Sequence, residues 1–119
     1  MKNYFEVGEH ACSCGCGGTW DENFLFTMNE IREEAGVPMK ISSGFRCTEY
    51  DTHIGGKGVH PTGKAADVLC SGRAAHRILR AAVKLGVMGI GVSQKGEHSK
   101  RFIHLDMTEG ETRPFVWSY

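Results

Sequence analysis

The chain has no excess of charge: 14 Lys and Arg balance 14 Asp and Glu, which sets the pI near 7.0. A protein that reads phosphate backbones needs a basic stripe, so nucleic acid is not an expected partner. A polybasic membrane anchor is equally unsupported. No apolar run approaches the roughly 18 residues of a membrane-spanning helix. Met1–Glu6 hold none of the roughly 7–15 apolar residues of a secretory leader, so the chain is expected to be soluble, made in the cytoplasm, and exported, if at all, by another route. Internal repeats and low-complexity tracts are also missing. At 119 residues there is room for one modest core and none for a second domain of useful size, so residues 1–119 are expected to form a single domain.

What is present in quantity is 16 glycines, 6 histidines and 5 cysteines, with Cys12, Cys14 and Cys16 crowded together. An odd number of cysteines without a leader does not read as an oxidised framework. The periodic segments are short and alternate between types, which points to an α+β fold. Asp21 caps a helix through Ala35 that carries Phe24, Leu25, Met28 and Ile31 and ends at Gly36-Val37-Pro38. Residues 38–42 alternate as a short strand, Thr48 caps a brief helix through Asp51, and Lys64–Cys70 is a strand of small residues. Ser71 caps a second long helix with Ala75, Ile78, Leu79, Ala82 and Val83 as its apolar stripe and Gly86 at its exit. Val87–Ser93 and Lys100–Met107, joined by a polar turn around Gly96, read as an antiparallel hairpin. Thr108–Tyr119 has no periodicity, though Phe115, Trp117 and Tyr119 are placed to fold back on the sheet.

The chemistry begins with a carboxylate in an apolar strand, Ala65-Ala66-Asp67-Val68-Leu69. An unpaired buried carboxylate is costly enough that such groups are paired, protonated or bound to metal. In Phe102-Ile103-His104-Leu105-Asp106 the period of two sends Ile103 and Leu105 to one face, His104 and Asp106 to the other. His60, on the turn His60-Pro61-Thr62-Gly63, can fold back beside Asp67. Two imidazoles and one carboxylate match a catalytic zinc site, in which a fourth position stays open for water. The competing reading pairs Asp67 with a basic side chain. His10, His53 and His76 read as solvated or satisfied.

With these residues in order, the sequence resembles the zinc D-alanyl-D-alanine carboxypeptidase and endopeptidase family, related in fold to the hedgehog signalling domain and the vancomycin-resistance dipeptidases. The resemblance rests on Cys12-Ser13-Cys14-Gly15-Cys16-Gly17, Ser43-Gly44-Phe45-Arg46-Cys47, His60-Pro61-Thr62-Gly63-Lys64-Ala65-Ala66-Asp67 and Ile103-His104-Leu105-Asp106. It implies an α+β fold with a small antiparallel sheet and two main helices, a Zn2+ ion on His60, Asp67 and His104, and a peptidoglycan peptide substrate, as in short phage or bacterial wall hydrolases that act after release or within a phage particle. A monomer is expected. By the same resemblance Arg46 faces the zinc pocket and neutralises negative charge; the competing reading makes it a solvated or structural ion-pair partner. Where such proteins carry a serine two residues before the first histidine ligand, this chain has Gly58. Positions that hold the general base in several branches are here His98, Arg101 and Phe102. Asp106 is the expected base, with a role in orienting His104 as its alternative and Glu97 or His98 on the neighbouring turn as further options.

For Cys12, Cys14, Cys16 and Cys47 three readings stand: a structural zinc site whose alternate-residue spacing departs from the usual C-x2-C, reduced buried thiols, or a disulfide to Cys47 in a protein that works outside the cytoplasm. Three function classes follow: a wall hydrolase, a zinc-containing wall-binding module without a competent base, and a cysteine–zinc interaction module.

Overall fold

The structure, a computed structural model, describes residues 2–119. In chain order the elements are α1 (Val7–His10), α2 (Glu22–Ala35), β1 (Lys40–Ser43), α3 (Thr48–His53), β2 (Ala65–Leu69), α4 (Gly72–Lys84), β3 (Gly89–Ser93), β4 (Phe102–Asp106) and β5 (Phe115–Ser118). Single 3-10 turns occupy His60–Thr62 and His98–Lys100. The α+β expectation holds.

Local chemistry explains the two long helices. The Asp21 carboxylate accepts hydrogen bonds from the Asn23 and Phe24 amides, satisfying donors that the first turn leaves unpaired. Ser71 does stand at the head of α4, but its hydroxyl makes no cap bond, and the brief helix starts at Thr48 itself, with Cys47 before it. The buried stripe of α4 is Ala75, Ile78, Ala81 and Ala82. Val83, expected in that stripe, is exposed, because five residues past Ile78 it has turned about 140° around the helix.

The strands form one sheet in the order β1-β2-β4-β3-β5. The first four pair antiparallel, including the expected β3–β4 hairpin. The C-terminal segment adds a strand that periodicity did not announce: β5 pairs parallel with β3, so the sheet is mixed at that edge. It is four residues long and three of them are exposed, which leaves no alternating pattern to read.

One face of the sheet carries the core. Ala66, Val68, Ile103 and Leu105 pack with Met28, Ile31 and Ile78 from α2 and α4. Each large side chain so buried stabilises the fold by about 1.5–3 kcal/mol. Alternation then forces the remaining residues of β2 and β4 to the opposite face. There Asp67 stands across from His104 and Ala65 across from Asp106. On the other flank of β4, β3 presents glycine beside both polar residues: Gly91 opposite His104 and Gly89 opposite Asp106. Among the described residues no helix is long and apolar enough to cross a membrane.

Candidate metal centre

Strand pairing alone sets half of the site. Asp67 and His104 are directly opposed, and the Asp67 Oδ1 to His104 Nδ1 distance is 2.9 Å. His60 arrives from the 3-10 turn, with its Nε2 3.6 Å from the same oxygen. The three donor atoms lie within 4.8 Å of one another. A tetrahedral zinc ion with bonds of ~2.1 Å needs donors ~3.4 Å apart, a spacing that the two measured distances bracket.

The rear nitrogen of each ring has a partner that can only accept. His60 Nδ1 donates to the Gly44 carbonyl at 2.8 Å, and His104 Nε2 donates to Asp106 Oδ2 at 2.7 Å. In the metal-free protein their inward nitrogens, Nε2 of His60 and Nδ1 of His104, face the Asp67 carboxylate. With the rear nitrogens holding the ring protons, these are the atoms whose lone pairs a cation beside Asp67 would take. This is the arrangement by which second partners fix the tautomer of a metal-binding imidazole. The donor set fits zinc.

Electrostatics agree. Burial alone would raise the Asp67 carboxyl, but hydrogen bonds from His104 and His60 hold it down at about 2. Burial likewise opposes charge on Asp106, and His104, Arg113 and Thr108 overcome it, leaving Asp106 below the usual carboxylate range. His104 shows the reciprocal effect: burial disfavours its charged form, but contacts with Asp106 and Asp67 raise it above 6.5. A ligand set poised to carry a proton between two carboxylates is equally poised to exchange that proton for a cation.

Asp106 is completely buried, and both its oxygens are engaged. Oδ1 accepts from the Thr108 amide and hydroxyl and from Arg113 Nε, while Oδ2 accepts from His104 and Arg113 Nη2. Glu97 and His98 are exposed and do not line the cavity over the site. Arg46 does line it. Its Nε sits 3.2 Å from Asp51 Oδ1, an ion pair whose geometry is too oblique for an aligned hydrogen bond. Asp51 is itself buried, and its other oxygen accepts from the Gly58 amide at 2.9 Å. At the position where the resemblance leads one to expect a serine hydroxyl, a backbone N–H thus ties the loop to the arginine's partner.

The cavity over these residues has a volume of about 530 Å³. Its wall is aromatic: Phe102, Phe115, Trp117 and Tyr119 line it beside His60, Asp67 and His104. The Trp117 ring lies 5.3 Å from the His104 ring, and the Arg113 guanidinium sits over Trp117 at 5.0 Å. Asp51 and Arg113 are neighbours of the candidate site that the sequence did not single out. An acidic residue five positions after Arg46 was a faint signal for the first; nothing local marked the second.

A family model described as Peptidase M15 matches residues 3–106. The chain belongs to the peptidase M15 family. M15 enzymes are zinc-dependent metallopeptidases, and membership implies a peptide substrate. The family match ends at Asp106, so Arg113 and the aromatic residues of β5 lie beyond the part of this M15 chain that the model covers. No curated protein matches the chain.

Proposed function

We propose that this M15 chain hydrolyses peptide bonds in bacterial cell-wall peptidoglycan, with zinc held by His60, Asp67 and His104. The observation that carries the reading is the pair of imidazoles whose rear nitrogens are fixed by Gly44 and Asp106 and whose front nitrogens meet at Asp67. A zinc ion bound there supplies polarisation of the scissile carbonyl and a water acidified toward about 7. The rest is the work of the chain itself. Arg46 donates to negative charge that develops on the substrate oxygen, a task suited to a planar, permanently charged fork, and Asp51 aims it. Asp106 had two roles open to it. With both oxygens engaged beneath His104, it is assigned to holding that ring in place.

Substrate chemistry follows from the lining. Arg46, Lys57 and Arg113 line the cavity, and among the described residues Asp67 is the one side-chain carboxylate in its wall. Arg46 and Arg113 are paired with Asp51 and Asp106 behind that wall, so Lys57 at the rim adds the uncompensated positive charge and the pocket favours a peptide bearing a free carboxylate, as wall peptides do. Trp117 covers one side of His104 and keeps bulk water off it. The half-exposed Tyr119 phenol, raised above its ordinary 10 chiefly by partial desolvation, remains a hydrogen-bond donor at neutral pH.

One observation favours a second reading, a zinc-containing wall-binding module: among the described residues no side-chain carboxylate other than Asp67 lines the cavity to accept a proton from water. Mass spectrometry of purified wall incubated with the protein separates the two. New peptide fragments or free D-alanine, abolished by chelation and restored by zinc, are expected. Zinc-dependent wall binding without fragments would overturn the hydrolase.

A further inference from the structure

The second concentration of metal-binding side chains lies away from the cavity, where Cys12, Cys14, Cys16 and Cys47 bring their sulfur atoms within 4.8 Å of one another. Alternate residues on an extended strand would hold successive sulfurs about 7 Å apart. The loop does something else. Gly15 and Gly17 adopt φ of +83° and +86°, a region open chiefly to glycine, and coil the chain between the cysteines. The loop is closed by Gly15 N–H to Cys12 O at 3.1 Å and Cys12 N–H to Gly18 O at 2.9 Å. Cys47 approaches from the segment after β1, which is fixed to the loop's root by Phe45 N–H to His10 O at 2.8 Å.

The sulfur geometry discriminates between readings. Cys12 and Cys14 sulfurs are 3.3 Å apart, and those of Cys14 and Cys47 are 3.6 Å apart. Zinc with four bonds of ~2.3 Å to sulfur requires separations of ~3.8 Å, whereas a disulfide joins sulfurs in pairs at ~2.05 Å. All four are free thiols, and they converge as a set rather than as two pairs. The Cys47 amide also donates to Cys12 Sγ at 3.3 Å, the kind of contact that offsets charge on a ligating thiolate. The expectation of buried thiols does not describe them, because Cys14 and Cys16 are exposed.

We propose that Cys12, Cys14, Cys16 and Cys47 hold a second zinc ion, structural and closed to substrate, independent of the one at His60, Asp67 and His104. Four thiolates from the protein leave no open position, which suits a soft, structural site. Its place in the chain gives it a purpose. Cys47 follows Arg46, and three residues before it stands Gly44, whose carbonyl fixes the His60 ring. An ion on Cys47 therefore pins the segment that carries both.

Elemental analysis of the protein purified from zinc-supplemented culture without added thiol tests this. Two zinc ions per chain are expected in the wild type, one in His104→Ala and one in Cys14→Ser. After cobalt substitution, thiolate-to-metal charge-transfer absorption should persist in His104→Ala and vanish in Cys14→Ser. Should Cys14→Ser fail to fold, the wild type and His104→Ala decide alone. A single wild-type zinc that disappears in His104→Ala would overturn the proposal, as would cobalt-loaded His104→Ala without the charge-transfer band. Thiol titration of chelated, unfolded protein should count five. A count of three or one would mean disulfides and would also overturn it.

Discussion

The proposed metal centre has a sheet half and a loop half. Asp67, His104 and Asp106 stand on paired strands, where register and alternation place them without help from their own contacts. His60, Arg46 and Asp51 come from the loops, short helix and turn between β1 and β2, where single hydrogen bonds to Gly44 and Gly58 do the placing. In this fold the reacting geometry is as rigid as a β-ladder on one side and as rigid as a few polar contacts on the other. Damage to the sheet half should show as loss of metal; in the loop half the loss of His60 should do the same, whereas the loss of Arg46 or Asp51 should show as loss of rate.

The largest effect is expected from His104→Ala, which should reduce peptide hydrolysis to background and empty the His/Asp centre in metal analysis. Retained zinc at that centre would remove the sheet half from the argument. Next, Arg46→Ala should keep zinc and fold but lower kcat/KM by about 10²–10³, the scale of one electrostatic stabiliser. Steady-state kinetics beside metal content checks this, and loss of zinc would blur the distinction between halves. Asp106→Asn should weaken zinc affinity by about 10–100-fold, with turnover restored by added zinc. A fall of about 10²–10⁴ that excess zinc cannot rescue would return Asp106 to the role of general base.

The smallest effect concerns the metal-stripped protein. The folded carboxyls of Asp67 and Asp106 lie below their ordinary 3.8 and folded His104 lies above its ordinary 6.5. Depressed carboxyls contribute stability that is present above about 4 and lost as pH falls toward their folded values. A raised histidine contributes stability that is full below about 6.5 and lost as pH rises through its folded value. Denaturant melts of apo protein should therefore show a maximum between these limits and a decline on the alkaline side. Zinc should abolish that decline, since the ion stands in for the proton; an apo profile that is flat from pH 6 to 9 would contradict the wiring of His104.

The two halves also differed in how far they could be read beforehand. Period-two alternation exposed His104 and Asp106 on one face, and a carboxylate inside Ala65–Leu69 announced that it needed partners. His60 and Arg46 were reached by spacing and resemblance. What escaped were contributions with no residue signature: the Gly44 carbonyl belongs to the backbone, Asp51 looks like any acidic residue in a short helix, and Arg113 sits in a tail without periodicity. The parallel pairing of β5 was invisible for a related reason, because an edge strand with three exposed residues does not alternate. Val83 lies outside the buried stripe because apolar character at nearly helical spacing does not fix the centre of that stripe.

The glycines of β3 shape the cavity by omission. A Cβ at Gly91 would lie 2.5 Å from the Trp117 indole nitrogen, and one at Gly89 would lie 2.4 Å from the Asp106 carboxylate. The tryptophan ring and the buried Arg113–Asp106 pair thus occupy volume that a neighbouring strand has vacated, although glycine weakens a strand interior. In a map of tolerated substitutions, Gly89 and Gly91 should therefore resemble the ligands in their intolerance while contacting neither metal nor peptide. Constraint of that kind follows empty space rather than chemistry.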